Sequence, residues 1–249
     1  MSLNVVNFLN GGIKISILVF GLLAGAITGV GALIAIVIGI VSNRILAISL
    51  GFAAGIMIGI STLSLIPNSL EMGTIYIATV GFIVGAAFLF FVDRTIPHSH
   101  KIETDCREYA KMGYFIAFGI ALHNLPEGIA IGATHNVSVQ LGIHTAFTIG
   151  IHNIAEGLCV AMPLCLANVH KFRVVVITTL TGLSTLFGTW LGIVLGMVSP
   201  LVIAFFLAFA AGAMVYISSD ELIPKSHRFH ISFANMGILF GFVFALILS

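Results

Sequence analysis

Charge is what this 249-residue chain lacks: Asp, Glu, Lys and Arg together make up 8% of it, against roughly 25% in an ordinary soluble domain. A soluble protein of this size could not cover its surface with so few charges. The few it has nearly cancel, ten basic against nine acidic for a net charge of +1. No strong field is left to steer nucleic acid or acidic partners. Cysteine is equally sparse. Cys106, Cys159 and Cys165 form no recognisable framework, and their odd count argues against a disulfide-stapled exterior. The first residues, MSLNVVNFLNGGIK, carry no basic stretch ahead of their apolar run, so no cleaved signal peptide is expected. What remains is apolar, with 59% hydrophobic residues and 27 glycines and a mean hydropathy of +1.17. Glycine is commoner in membrane helices than in soluble ones. The composition describes an all-α polytopic membrane protein whose surroundings are the lipid bilayer.

A helix needs about 20 mainly apolar residues to cross a hydrocarbon core of about 30 Å. Eight segments qualify, at approximately 15–41, 45–70, 72–92, 112–134, 137–167, 174–198, 200–224 and 231–248, and we read them as one transmembrane domain over 1–249. Residues 174–219 are free of charge and too long for one helix; Ser199-Pro200 divides them. The apolar runs are continuous rather than alternating, which disfavours a barrel. Arg44, Arg94, Lys101, Arg107, Lys111, Lys171, Arg173, Lys225 and Arg228 fall on one side of such a chain, and only Lys14 on the other. By the positive-inside rule, both termini are expected outside and loop 94–111, with His98 and His100, in the cytoplasm.

Spans 2 and 7 repeat one another. Residues 51–69, GFAAGIMIGISTLSLIPNS, and 208–226, AFAAGAMVYISSDELIPKS, are identical at eleven of nineteen aligned positions. With eight spans these two run in opposite directions. Inverted repeats of this kind are a signature of transporters, whose sites lie at the repeat interface near the midplane. The repeat relates spans 1–3 to spans 6–8 and leaves spans 4 and 5 as a central pair.

That pair carries the chemistry. Span 4 holds His123-Asn124-Leu125-Pro126-Glu127-Gly128 and span 5 holds His152-Asn153-Ile154-Ala155-Glu156-Gly157, one HNxxEG pattern occurring twice. His and Glu four residues apart lie on one helix face, one turn above the other, while each Asn is rotated by roughly 100° to the margin of the site. Two imidazoles, two carboxylates and two amide oxygens facing each other are ligands for first-row divalent metals. Six groups suffice for two adjacent cations. Without thiolate the site binds loosely, as a permeating ion requires. A single membrane histidine commonly does no more than bond neighbouring helices. An intramembrane glutamate, however, costs about 2.5–3.5 kcal/mol or more to insert, and here two occur in duplicated context. Pro126 removes a backbone donor, so span 4 is expected to kink beside its ligands.

These residues resemble the ZIP family of divalent-metal transporters. The tandem HNxPEG-like motifs, eight spans, outward termini and a histidine-bearing loop after span 3 carry the resemblance, and the FAAGxM and DELIP segments look most like the family's bacterial, GufA-like branch. It implies uptake of Zn²⁺, or Fe²⁺, Mn²⁺ or Cd²⁺, toward the cytosol through a binuclear site. It implies His123, Glu127, His152 and Glu156 as ligands, with Asn124 and Asn153 bordering the second metal position. It also implies that Met57 lines the site and that Glu221 is the family's acidic residue in span 7. The metal is then transported substrate, two ions per site, and no cofactor is expected. Two residues depart from the pattern: Ala155 stands where the family usually has proline, and Asp220 where many relatives have histidine.

Other polar residues are open to two readings. His144 is an entry-path residue or a helix-contact histidine, and Glu71 attracts cations or caps an interfacial helix end. His135, His170, His227 and His230 read as solvated turn residues. A metal-dependent intramembrane hydrolase is the alternative function, although no HExxH is present and each candidate general base is already claimed as a ligand. GxxxG-like stretches such as Gly21–Gly25 would permit the close packing of a homodimer.

Overall fold

The computed structural model describes residues 12–39, 42–95, 106–196 and 199–248; His98 and His100 lie outside them. Every element of regular structure among the described residues is helical. Span 1 is α1 (Gly12–Ala26) and α2 (Thr28–Ile38). Span 2 is α3 (Asn43–Ile60), continued through a π-helical turn (Ser61–Leu65) into α4 (Ile66–Met72). Spans 3 to 6 are α5 (Ile75–Thr95), α6 (Cys106–Val137), α7 (Val139–Leu166) and α8 (Lys171–Gly196). Span 7 is α9 (Pro200–Ile217) and a second π-helical turn (Ser218–Leu222), followed by α10 (Ile223–Leu248).

Among the described residues, seven helical stretches are long and apolar enough to cross a membrane. The last covers Pro200–Leu248, 49 residues, or about 74 Å at 1.5 Å per residue, more than twice the hydrocarbon thickness. It is broken at His230, whose backbone is extended (φ −171°, ψ 106°), and so supplies spans 7 and 8. Serines set the other boundaries. Ser138 Oγ accepts from Leu141 N at the start of α7, and Ser199 Oγ accepts from Leu201 N ahead of Pro200, the capping roles expected of Ser before a helix and Pro at its first position.

The helices pack as two bundles. Spans 1, 4, 5 and 6 form one, with span 1 on span 5 and span 6 on span 4. Spans 2, 3, 7 and 8 form the other, with span 2 on span 8 and span 7 on span 3. The same pairs follow from a two-fold exchange of spans 1 with 6, 2 with 7, 3 with 8 and 4 with 5. The exchange holds residue by residue. The two π turns fall at equivalent positions, shifted by 157, and in each a serine, Ser61 or Ser218, donates back to Met57 or Met214 O at 2.7 Å. Gly25 and Gly182 lie against each other's carbonyls, so that a methyl on either would overlap the other's backbone. Gly157 meets Thr28 O as Gly128 meets Thr185 O. The symmetry therefore extends into the central pair, which the repeat of spans 2 and 7 alone did not reveal.

Glycine distinguishes the inside of a bundle from the boundary between bundles. Within them, glycines bring backbones together (Gly31 on span 5, Gly55 on span 8, Gly212 on span 3). At the boundary the packing is by side chains, as where Ile217 of span 7 reaches Gly119 of span 4. Helix α6 continues through Pro126 to Val137 without interruption, so the proline does not end the helix. One reading is different in the structure. His135 is a buried residue of its last turn rather than a solvated turn residue, because the corner falls three residues later, at Ser138.

Candidate metal centre

Spans 4 and 5 are antiparallel neighbours in one bundle, and their i, i+4 His–Glu pairs face each other. The pairing is crossed. His123 Nε2 donates to Glu156 Oε1 at 2.7 Å, and His152 Nε2 donates to Glu127 Oε1 at 2.8 Å. Within each helix the same atoms stand 3.9 Å apart (His123–Glu127) and 3.6 Å apart (His152–Glu156). The four side chains thus close a ring, each 2% exposed or less. Ligand atoms of His123, Glu127 and Glu156 all lie within 4.8 Å of one another, and His152 joins them through its two glutamate contacts. His123 Nδ1 faces the Gly119 carbonyl at 3.3 Å, which turns Nε2 toward the ring.

Asn124 and Asn153 are anchored outward. Asn124 Nδ2 donates to Thr181 O of span 6 at 3.2 Å, and Asn153 Nδ2 donates to Ala24 O of span 1 at 2.8 Å. These two carbonyls are equivalent in the exchange of spans 1 and 6. Each amide oxygen, Oδ1, is buried and has no hydrogen-bond partner within the protein, and the same holds for Glu127 Oε2 and Glu156 Oε2. The centre thus has a surplus of four buried acceptor oxygens. Leaving such atoms without a donor costs about 1–3 kcal/mol each, more when charged. Oxygens of this kind, carboxylate and amide, are the donors that divalent cations take.

The remaining expected site residues belong to the other bundle. Met57 is buried in span 2, which packs on span 5, and its equivalent Met214 is buried in span 7. Glu221 belongs to the π turn of span 7 and forms an ion pair with Lys225. It lines a cavity with Gly119 and Leu122 of span 4, the turn that leads into His123. Lys225 was read from sequence only as a loop charge. Its i, i+4 spacing from Glu221 on a helix was the signal that would have paired them.

Comparison with known proteins gives a consistent picture. Residues 97–249 match the family described as ZIP Zinc transporter. Among curated proteins, the chain is 39% identical over 220 residues to a zinc transporter ZupT of Enterobacter sp., covering 83% of this chain and 85% of that one. ZupT of Salmonella arizonae is also 39% identical over the same shares, and that of Escherichia coli is 38% identical.

Proposed function

The chain belongs to the ZIP zinc transporter family, and from that premise we propose that it carries zinc and related divalent cations into the cytosol by alternating access at the crossed His–Glu ring. It is a divalent-metal transporter and not an enzyme, and the hydrolase alternative is without support. The observation that carries the site assignment is the surplus of buried acceptor oxygens around two imidazoles on the symmetry-related helices. With Nδ1 of His123 held by the Gly119 carbonyl, Nε2 would offer its lone pair to a cation once it gives up the proton it shares with Glu156, so that binding would release a proton. Two carboxylates balance one divalent charge and are able to bridge two ions, with Asn124 and Asn153 Oδ1 completing the second position. Donors limited to imidazole and oxygen hold first-row cations without the grip of thiolate, which leaves them free to depart.

The division of packing supports alternating access. Bundles locked internally by backbone-to-backbone glycine contacts move as units, and a boundary of interdigitated side chains is where such units slide or rock. The protein is multi-pass, and we place it in the inner membrane with both termini outside and loop 94–111 in the cytoplasm. Exposed apolar residues on spans 3 and 8, such as Ile83, Phe91, Leu239 and Val243, face lipid and offer a second copy a place to pack. The test is uptake into proteoliposomes with Zn²⁺, Cd²⁺, Fe²⁺ and Mn²⁺ in competition. Saturable zinc uptake that disappears in Glu127→Ala and His152→Ala, with both variants still inserted, is the expected result. Unchanged uptake in both would sink the site assignment.

A further inference from the structure

On the cytoplasmic side of the ring, spans 3, 4 and 7 enclose a cavity lined by Leu89, Phe115, Gly119, Leu122, Ile217 and Glu221. Gly119 and Leu122 lie in the turn of span 4 that leads into His123, so the cavity adjoins the ring at its inner end. Its lining offers a single carboxylate, Glu221, which is 8% exposed. That carboxylate is held by the Lys225 ammonium, one turn on. The same ammonium sits 4.7 Å from the centre of the Phe115 ring, a cation–π distance. Lys225 belongs to the bundle of spans 2, 3, 7 and 8, and Phe115 belongs to the other. The ammonium therefore bridges the two bundles across the mouth of the cavity.

The opposite end of the molecule supplies a comparison. Under the 157-residue shift, Glu221 and Lys225 correspond to Ser64 and Asn68, whose side chains also meet, Asn68 Nδ2 donating to Ser64 Oγ at 3.4 Å. The contact is preserved and the charge is not. Phe115 corresponds to His144 of span 5 under the 29-residue shift that relates the two HNxxEG motifs, so the aromatic face that receives the ammonium is also confined to the inner end.

We propose that Lys225 is a tethered competitor cation. Its ammonium occupies the position a metal ion would take against Glu221 on leaving the ring, so it drives release into the cytosol and prevents cytosolic metal from re-entering. This rests on the reading that the ring transports metal and that Glu221 lies on its inner path. A divalent ion reaching Glu221 displaces the ammonium, which then returns and expels it. The displaced ammonium also gives up Phe115, which unties the two bundles at the step when they must move.

The experiment uses zinc uptake into proteoliposomes preloaded with graded internal Zn²⁺, for the wild type, Lys225→Met, Glu221→Gln and the double variant. Removing a unit positive charge from beside a partly buried divalent site strengthens metal binding there by about tenfold or more. Lys225→Met is therefore expected to be inhibited by internal zinc at about a tenth of the wild-type concentration and to turn over more slowly. In the Glu221→Gln background the same substitution is expected to change the sensitivity to internal zinc little. Equal sensitivity of Lys225→Met and wild type would overturn the proposal. So would the same shift with and without Glu221, since a merely structural lysine behaves alike in both backgrounds. Failure of the transport reading looks different, because the wild type itself would then show no zinc uptake.

Discussion

The two halves of this molecule agree in their packing and differ in their charge. Spans 1–4 and 5–8 exchange under a two-fold axis that matches glycine with glycine, π turn with π turn, and His123–Glu156 with His152–Glu127. At the two ends of the molecule the match fails. In the orientation proposed above, Ser64, Asn68, Glu71 and His144 of the outer end stand where the inner end has Glu221, Lys225, Arg228 and Phe115. Under the alternating access proposed above, both are needed: symmetric packing would let one set of contacts serve the outward- and inward-facing arrangements at similar energy, and asymmetric charge would give capture and release different chemistry.

The comparison is broken most severely at the ring itself. Because the two glutamates are equivalent, Glu127→Gln and Glu156→Gln are each expected to reduce zinc uptake by at least about a hundredfold, beyond the 10–100-fold typical of losing a mere supporting residue. The two losses should agree within about threefold, under 1 kcal/mol. Radiolabelled zinc uptake measures both. A large effect from one glutamate and a small one from the other would mean that the two helices share a shape and not a function.

The next largest effects belong to the glycines between helices. A methyl at Gly128 or Gly157 meets a carbonyl oxygen, of Thr185 or Thr28, with no room to shift. Each Gly→Ala change is expected to cost about 3 kcal/mol, the upper end of ordinary overpacking, seen as a fall in melting temperature in detergent. Gly39, outside these crossings with a positive φ of 72° and only an ordinary contact with Val37 O at 3.9 Å, should lose stability on change to Ala through backbone strain alone, by about 1–2 kcal/mol.

Much of this was legible in the sequence, and particular residues show why the rest was not. The HNxxEG pair announced itself because i, i+4 spacing fixes relative direction on a helix, so His and Glu had to share a face. The crossed pairing, His123 with Glu156 rather than Glu127, depends on how two helices register, which local spacing does not encode. Asn124 and Asn153 were recognised as marginal, but their anchors are the carbonyls of Thr181 and Ala24, and a backbone oxygen leaves no mark on a sequence. His135 was misjudged because the corner between spans 4 and 5 is set by the Ser138 cap, three residues later. The doubled HNxxEG motif marked spans 4 and 5 as alike, but not that the two-fold relation of spans 1–3 and 6–8 runs through them as well. That appeared once the glycines around them were seen to contact equivalent partners.

Methionine gives a smaller and more discriminating test. Met57 and Met214 are equivalent and equally buried, so truncating either to Ala should cost a similar 2–5 kcal/mol of stability. Only Met57 is expected to act on metal, from the span that packs on span 5, since a soft thioether favours Zn²⁺ and Cd²⁺ over the harder Mn²⁺. Met57→Ala should raise the KM for zinc by about tenfold, or 1.4 kcal/mol, and more for Cd²⁺ than for Mn²⁺, while Met214→Ala leaves KM unchanged. Equal KM shifts would remove Met57 from the site.

The smallest expected effect comes from repairing the charge asymmetry. Ser64→Glu places a carboxylate at the outer position equivalent to Glu221, beside Asn68 rather than a lysine. Ser64 is part-exposed, so the added charge acts through water and is expected to lower KM for external zinc by only two- to threefold, about 0.5 kcal/mol. Adding Asn68→Lys rebuilds the inner pair on the outer face, and the gain should vanish as the new ammonium competes for the new carboxylate. The order of the two steps makes the result informative. A lysine that cancels the glutamate's effect shows that the pair, and not the acid alone, controls whether metal is held, and that its absence from the outer end is what lets that end receive metal.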